Sequence, residues 1–278
     1  MAAAAGDDVL FFLKEYGKGK NLPWNRPVKL IALDPGALGC EGQDRLCSSA
    51  YSRMWSSLKD ANGQIIPNLL RKHGIAPGGR VGFVGFSAAH GLLSPMLNND
   101  ADRAMIDSVL LMDACFGSGK VGYQKALVDA AAGKLLFVML STTIPGTPPA
   151  KSDVLHSGTL CVMRHVIEPT GLVPKPVPVR APLPEPFGGT WQFGKLGFWV
   201  KLPDDAGKTV LPHYELGKLT LPAVEAYLLP RYRGELQGGG AGLRLSGWPW
   251  WAYAGVGVLA VGAGLFAWDR WFSGGARA

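Results

Sequence analysis

A serine between small residues is the first feature of this sequence that could do chemistry. Ser87 stands in the sequence Gly85-Phe-Ser-Ala-Ala89, after the apolar run at residues 80–86 and before a predicted helix. Small residues around a serine permit a turn that is too sharp for larger side chains. In a strand–turn–helix unit, this turn exposes the serine hydroxyl at the carboxyl edge of a sheet, near the amino end of a helix. The pattern therefore predicts a nucleophile at Ser87.

Two histidines and two aspartates are candidates for the groups that would activate this serine. An activated serine needs a base within hydrogen-bond reach and a third group that orients the base. His213 lies on a predicted turn before the closing helix, whereas His90, the alternative base, follows closely after Ser87. Asp113 ends the strand after the Ser87 strand, so we expect its side chain at the same sheet edge. Asp153, in the loop after the next strand, is the alternative acid, and Asp113 is preferred.

The serine turn resembles the nucleophile elbow G-x-S-x-G of the α/β-hydrolase superfamily, with Ala89 in place of the second glycine. The segment that runs from His213 into the closing helix is similar to the histidine loop of that family. The resemblance covers roughly residues 28–230 and implies the chain order serine, acid, histidine. It implies that Ser87 is the nucleophile, His213 the general base and Asp113 the acid that orients the base.

The same resemblance implies an oxyanion hole and a class of reaction. The backbone N–H of Ala88, the residue after the nucleophile, would be one donor. A second donor would come from the loop after the early strand, at Gly36 or Ala37. The implied reaction is cleavage of an ester, thioester or amide in a small or lipid-like acyl substrate, through an acyl-enzyme. It requires no cofactor, and the cysteines lack the C-x-x-C spacing of a zinc site.

Apolar runs of strand length alternate with helical patterns, which predicts an α/β fold with a mostly parallel sheet and helices on both faces. This would be a reduced form of the α/β-hydrolase fold. Strands are predicted at residues 28–33 (in the sheet interior), 80–86, 108–112 and 134–140, and a hairpin or late strand at 190–200. Helices are predicted at residues 48–73 with a break at 62–63, 92–104 with a kink at Pro95, 123–132, 153–166 and 219–229. A helix or strand at the domain edge is predicted for residues 9–16, and a surface strap, or alternatively a lid, for the proline-rich residues 168–190.

The end of the chain predicts a membrane span. The stretch from Leu245 to Trp268 has no charged residue, and as a helix it would be about 36 Å long, enough to cross a hydrocarbon core of about 30 Å. Tryptophans stand at both ends of the stretch, as membrane interfaces favour. The small residues Ala260 and Gly264 have the spacing of helix-pairing motifs, which allows self-association. The predicted division is a domain at residues 1–233, a glycine-rich linker at 234–247, a transmembrane helix at 248–271 and a short tail at 272–278.

The net charge, the amino terminus and the cysteines narrow the functional classes to which the protein could belong. The net charge is +7, but the basic residues are scattered, so nucleic-acid binding is not predicted. The amino terminus lacks the pattern of a signal peptide, and a lone carboxyl-terminal span then leaves the domain in the cytoplasm. Cys115 and Cys161 lie in apolar segments and are interpreted as small buried residues. The sequence Gly117-Ser-Gly-Lys120 is followed by valine and lacks the Ser/Thr and the earlier glycine of a phosphate loop.

Two functions are compatible with these patterns. The first is a membrane-anchored serine hydrolase with a Ser–His–Asp triad. The second is a non-catalytic structural or binding protein that is held at a membrane and keeps a hydrolase-like scaffold, because a fold does not fix a function. The reactivity of Ser87 distinguishes them.

Overall fold

The chain builds an eight-stranded sheet in the part that the structure describes. The structure is a computed structural model that describes residues 6–13, 28–33, 44–116, 120–142, 158–183, 189–202 and 219–235, with the backbone alone for residues 44–48. All of these residues belong to a unit that spans residues 1–239. The predicted membrane span at residues 248–271 lies outside the described residues. Among the helices that are described, none has the length and apolar character needed to cross a membrane.

The strands confirm the predicted α/β class with a mostly parallel sheet. They are β1 (Asp8–Leu13), β2 (Val28–Leu33), β3 (Val81–Phe86), β4 (Ser108–Met112), β5 (Leu136–Ser141), β6 (Lys175–Val177), β7 (Gly189–Phe193) and β8 (Gly197–Lys201). Their order across the sheet is β2-β1-β3-β4-β5-β8-β7-β6. The strands from β2 to β8 in this order pair in parallel, and β8, β7 and β6 pair antiparallel.

Helices cover both faces of the sheet, as predicted. They are α1 (Asp44–Leu58), α2 (Ile66–Lys72), α3 (His90–Asn98), α4 (Asp100–Met105), α5 (Val121–Ala131), α6 (Gly158–Cys161), α7 (Thr220–Ala223) and α8 (Leu229–Tyr232). A π-helical segment, Val162–Ile167, and a 3₁₀ turn, Glu168–Thr170, continue α6, and a second π-helical segment, Val224–Leu228, joins α7 to α8. One apolar core contains residues of α1, α2, α3, α5 and α6, and a second core on the opposite face contains residues of α7 and α8.

The central strands are buried at every position, and mostly apolar, because both of their faces are covered. All residues of β3, β4 and β5 are buried. Neighbouring residues on one strand belong to different cores: Phe83 packs with the first and Val84 with the second. This alternation follows from the two-residue period of a strand. The near-continuous apolar runs are therefore a direct sequence signal of buried parallel strands.

The predicted places of the first two strands are wrong. Residues 28–33 form an edge strand among the described residues instead of an interior one, and residues 9–16 contribute an interior strand, β1, instead of an edge element. All six residues of β1 are buried, whereas β2 is mostly half-buried or exposed. Lys29 on β2 pairs with Asp7 at 2.7 Å. Two apolar runs of similar length do not reveal which of them forms the interior strand of the sheet, because this depends on which run pairs with β3.

The predicted helix at residues 92–104 is divided, not kinked. α3 continues through Pro95 to Asn98, and α4 begins at Asp100. The Asn99 side chain accepts hydrogen bonds from the N–H groups of Ala101 and Asp102, which caps the new helix. The break is therefore at the asparagine, which satisfies the backbone donors of α4.

The later segments combine the predicted alternatives. Residues 190–200 form both a hairpin and part of the sheet, since β7 and β8 pair with each other and β8 pairs with β5. The proline-rich stretch contributes β6, which pairs with β7.

Cys115 and Cys161 are buried as expected, but they form a disulfide, with Cα atoms 5.7 Å apart. The sequence analysis did not predict this link, because the proximity of the two cysteines depends on how α6 packs in the fold.

The strand order contains a topological switch point. The chain places β2 on one side of β1 and β3 on the other side. In open α/β sheets, ligands bind outside the carboxyl ends of the strands where the strand order reverses. The carboxyl ends of β1 and β3 therefore mark the expected location of a site.

Candidate active site at the carboxyl edge of the sheet

Ser87 lies directly after β3, at this edge. A 3₁₀ turn, Ser87–Ala89, joins the strand to α3. The Ser87 backbone has a φ of +50°, a left-handed conformation that costs roughly 1–2 kcal/mol for a residue with a Cβ atom. The residue is 2% exposed. Strained backbone of this kind concentrates at functional sites, where the surrounding structure enforces it.

Close packing explains the small residues around Ser87. A Cβ atom on Gly85 would lie 2.3 Å from Cδ1 of Leu93 and 2.9 Å from Cβ of Ala89. α3 therefore packs directly against the last residues of β3, and a side chain at Gly85 would displace the helix. Alanine at position 89 fits because its Cβ atom is the one that faces the glycine. The sequence Gly-Phe-Ser-Ala-Ala thus builds the strand–turn–helix unit by leaving room for the helix.

Asp113 occupies the corresponding position on the neighbouring strand. The last residues of β3 and β4, Phe86 and Met112, are paired, so Ser87 and Asp113 both follow the same rung of the sheet. Asp113 has a φ of +45° and is 1% exposed. Within the described residues, Ser87 and Asp113 are the non-glycine residues with positive φ. Two left-handed residues stand side by side on strands that are spaced about 4.8 Å apart.

The end of β5 holds Asp113 in place. The N–H of Asp113 donates to the carbonyl oxygen of Leu140 at 2.8 Å, and the N–H of Thr142 donates to Oδ1 of Asp113 at 3.3 Å. A Cβ atom on Gly158 would lie 2.1 Å from the Thr142 carbonyl oxygen and 3.7 Å from Oδ1 of Asp113. α6 therefore begins immediately beside the carboxylate. These contacts fix the backbone and one carboxylate oxygen of Asp113.

A buried hydrogen-bond network connects the elements that surround Asp113. Nε1 of Trp199 donates to Oγ of Ser141 at 2.8 Å, and Oγ of Ser141 lies 3.1 Å from Oγ1 of Thr159. The three residues belong to β8, β5 and α6, so the network links these elements next to Thr142. The carboxyl edge at Asp113 is thus anchored on three elements.

His90 contacts the backbone of Ser87. Its Nδ1 lies 3.2 Å from the Ser87 carbonyl oxygen, and its ring centroid is 5.7 Å from that of Phe116. A carbonyl oxygen can only accept, so Nδ1 carries the proton and Nε2 has the lone pair in the neutral ring. Burial, and then the positive charge of Lys120, lower the pKa of His90 to about 4. The imidazole is therefore neutral at pH 7 and a weaker base than an ordinary histidine.

Lys120 is a residue that the sequence analysis did not select. It is the N-cap residue of α5 and is 5% exposed. Its Nζ lies 5.7 Å from the centroid of the Tyr123 ring. Burial lowers the pKa of Lys120 to about 8. The sequence signal that could have found it is a lysine that opens a helix just after β4, at the same edge as Ser87, but burial cannot be read from that pattern.

The predicted site residues form two groups, those that the structure describes and those that it does not. The structure brings Ser87, Ala88, His90 and Asp113 together at one edge of the sheet. Ala88 lies in the first helical turn after β3, where backbone N–H groups lack intrahelical acceptors, as an oxyanion donor requires. The remaining predicted residues, Gly36, Ala37, Asp153 and His213, lie outside the described residues. Among the residues that are described, no cluster of three or more His, Cys, Asp or Glu side chains could hold a metal ion.

Comparison with known proteins gives no assignment. No protein-family model matches the chain, and neither a curated protein nor a solved structure matches it. The resemblance to α/β hydrolases therefore rests on the sequence motifs of this chain alone.

Proposed function

We propose that this chain is a membrane-anchored serine hydrolase that cleaves an ester, thioester or amide. The observation that carries the proposal is the left-handed backbone of Ser87, with φ +50°, in a strand–turn–helix unit beside the topological switch point. Asp113 supports it, because a buried aspartate with the same strained backbone stands on the adjacent strand. Both features place chemistry-bearing side chains where α/β sheets bind ligands.

The proposed reaction has two steps. Oγ of Ser87 attacks the carbonyl carbon while His213 accepts the hydroxyl proton, and the oxyanion binds the N–H of Ala88. The bond to the leaving group breaks as His213 donates the proton to it, which leaves an acyl-enzyme. Water then attacks the acyl carbon, His213 takes the proton of the water, and the proton returns to Ser87 as the acid is released. Asp113 orients His213, and Gly36 or Ala37 supplies the second oxyanion donor.

The contacts of Asp113 and His90 support one choice of acid and one choice of base. Asp113 is preferred as the acid because it follows the strand beside β3 and because the N–H of Thr142 donates to its Oδ1. His213 is preferred over His90 because Nδ1 of His90 contacts the Ser87 carbonyl oxygen and the pKa of His90 is lowered to about 4. A base with so low a pKa has little driving force to accept the serine proton.

A second function is favoured by one observation. Ser87 is only 2% exposed, and a serine so deeply buried also suits a non-catalytic scaffold that binds a partner elsewhere. Residues 248–271 would hold either protein at a membrane, with self-association through Ala260 and Gly264. The acyl substrate, small or lipid-like, belongs to the hydrolase alone.

The test is labelling of the full chain, in detergent, with a fluorophosphonate probe. Wild type is compared with Ser87→Ala, His213→Ala and Asp113→Asn, and Ser94→Ala on α3 is the matched serine control. We expect labelling of wild type and of Ser94→Ala, a loss of at least about 100-fold in the Ser87 and His213 variants, and a smaller loss in Asp113→Asn. A folded wild type that never labels would leave the scaffold as the function.

A further inference from the structure

Lys120 is a buried lysine with no compensating charge in the described part of the chain. The residue is 5% exposed, and lysine is almost never buried to this extent unless it is paired. The contact described for its Nζ is the face of Tyr123, at 5.7 Å. Among the described residues, no carboxylate lies within salt-bridge distance of Nζ and no acceptor hydrogen-bonds to it.

The position of Lys120 connects it to the Ser87 site. Its charge is one cause of the lowered pKa of His90, whose Nδ1 touches the Ser87 carbonyl oxygen. The first turn of α5 also packs tightly on α3, since a Cβ atom on Gly122 would lie 2.1 Å from the Ser94 carbonyl oxygen. The first turn of α5 therefore packs against the carboxyl-terminal half of α3, and the charge of Lys120 reaches His90 at the start of α3.

The amino end of α5 adds a second attraction for negative charge. α5 has eleven residues, and no side chain caps its N-terminal N–H groups. Free N–H groups and the helix dipole favour an anion at this end. A lysine that is itself the N-cap residue places a full positive charge beside the same donors. Burial lowers the pKa of Lys120 to about 8, so most of the ammonium remains charged at pH 7 and can pair with an anion.

We propose that Lys120 and the first turn of α5 form a subsite for an anionic oxygen group, a phosphate or a carboxylate, carried by the acyl substrate that Ser87 attacks. The proposal rests on the proposed hydrolase function and names its substrate class. The anion would pair with the ammonium of Lys120 and the uncapped N–H groups, and would hold the scissile carbonyl beside Ser87. Lys120 is here a binding residue and takes no part in proton transfer.

The first experiment measures anion binding without catalysis. The melting temperature of the full chain in detergent is recorded at pH 7 with and without inorganic phosphate, at constant ionic strength with chloride as the balancing salt. The variants are Lys120→Met, Ser87→Ala and the control Lys125→Met, which removes a charge from the same helix. We expect phosphate to raise the melting temperature of wild type, Ser87→Ala and Lys125→Met, and to leave Lys120→Met unchanged. An equal rise in Lys120→Met, or no rise in wild type, would overturn the subsite.

The second experiment uses matched substrates. Hydrolysis of p-nitrophenyl hemisuccinate is compared with that of neutral p-nitrophenyl butyrate, and hydrolysis of lysophosphatidic acid with that of the matching monoacylglycerol. We expect Lys120→Met to lower kcat/KM for an anionic member at least tenfold, with less than a threefold change for its neutral partner. The affected pair tells a soluble carboxylate from a lipid phosphate, and an equal change for both members of each pair contradicts the proposal.

The two experiments separate the two proposals. If no ester is cleaved, but phosphate stabilises every variant except Lys120→Met, the anion subsite stands and the hydrolase function fails. If esters are cleaved with no dependence on Lys120 and phosphate does not bind, the hydrolase function stands and the subsite fails.

Discussion

At the scale of single residues, the site combines backbone strain with buried titratable groups. The left-handed backbones of Ser87 and Asp113 cost free energy, and backbone strain of this kind concentrates at functional sites. His90 is half-buried and Lys120 is buried, and the two lie close enough for the charge of Lys120 to lower the pKa of His90. These features lie together at one edge of the sheet.

His90 makes the stability of the protein depend on pH. Its pKa in the folded state is about 4, and an unfolded histidine has a pKa near 6.5. Between these values the unfolded chain binds more protons, so the free energy of unfolding falls as the pH falls. Between pH 7.5 and 4.5 we expect His90→Asn, whose amide can still donate to the Ser87 carbonyl oxygen, to lose roughly 2–3 kcal/mol less than wild type.

Urea titrations at the two pH values measure this difference. His165→Asn serves as a control that removes a histidine from another helix. Equal losses in wild type and in His90→Asn would show that the imidazole is not held neutral in the folded state.

At the scale of elements, the strand–turn–helix unit depends on the fit between β3 and α3. The fit is local in sequence, and this is why the unit could be predicted from a few residues. The contacts that hold Asp113 come instead from β5, β8 and α6, which are far away in the chain. An element pair that is adjacent in sequence carries its own signal, whereas a pair that meets only in the fold does not.

Gly85→Ala tests the fit between β3 and α3. The new Cβ atom would overlap Cδ1 of Leu93 and Cβ of Ala89, and we expect a loss of about 1–3 kcal/mol in the free energy of unfolding. Combining it with Leu93→Ala makes room for the methyl group, so the double variant is expected to lose less than the sum of the two single losses. Denaturant unfolding of all four proteins gives the coupling energy. Strict additivity would contradict the close contact.

At the scale of the whole molecule, the disulfide links the carboxyl edge of the sheet to α6. Cys115 follows the Asp113 turn, and Cys161 is the last residue of α6, 46 positions later. Such a link restricts the unfolded chain, and on the chain-entropy model it stabilises the fold by roughly 4 kcal/mol. We expect Cys115→Ala/Cys161→Ala to unfold at lower denaturant by an amount close to this, and to show no further change with reductant. A double variant as stable as oxidised wild type would refute the link.

The disulfide also bears on where the domain lies. The sequence analysis predicts a cytoplasmic domain, and cytoplasmic thiols stay reduced, whereas disulfides are typical of oxidising compartments. Alkylation of cysteines in intact cells, before and after reduction, distinguishes the two. Blocked Cys115 and Cys161 would favour the opposite orientation, and reactive thiols would favour the cytoplasmic one.

The sequence by itself determined the α/β class, the central strands β3, β4 and β5, and the place of Ser87 between strand and helix. These features depend on the apolar period and on small residues within a few positions of each other, so local patterns report them. Only the tertiary structure decided the order of β1 and β2, the Cys115–Cys161 pair and the burial of Lys120. Each of these depends on which distant segments of the chain pack together. The sequence patterns behind them are two apolar runs, two cysteines and a lysine before a helix, and none of these patterns reveals which segments are in contact.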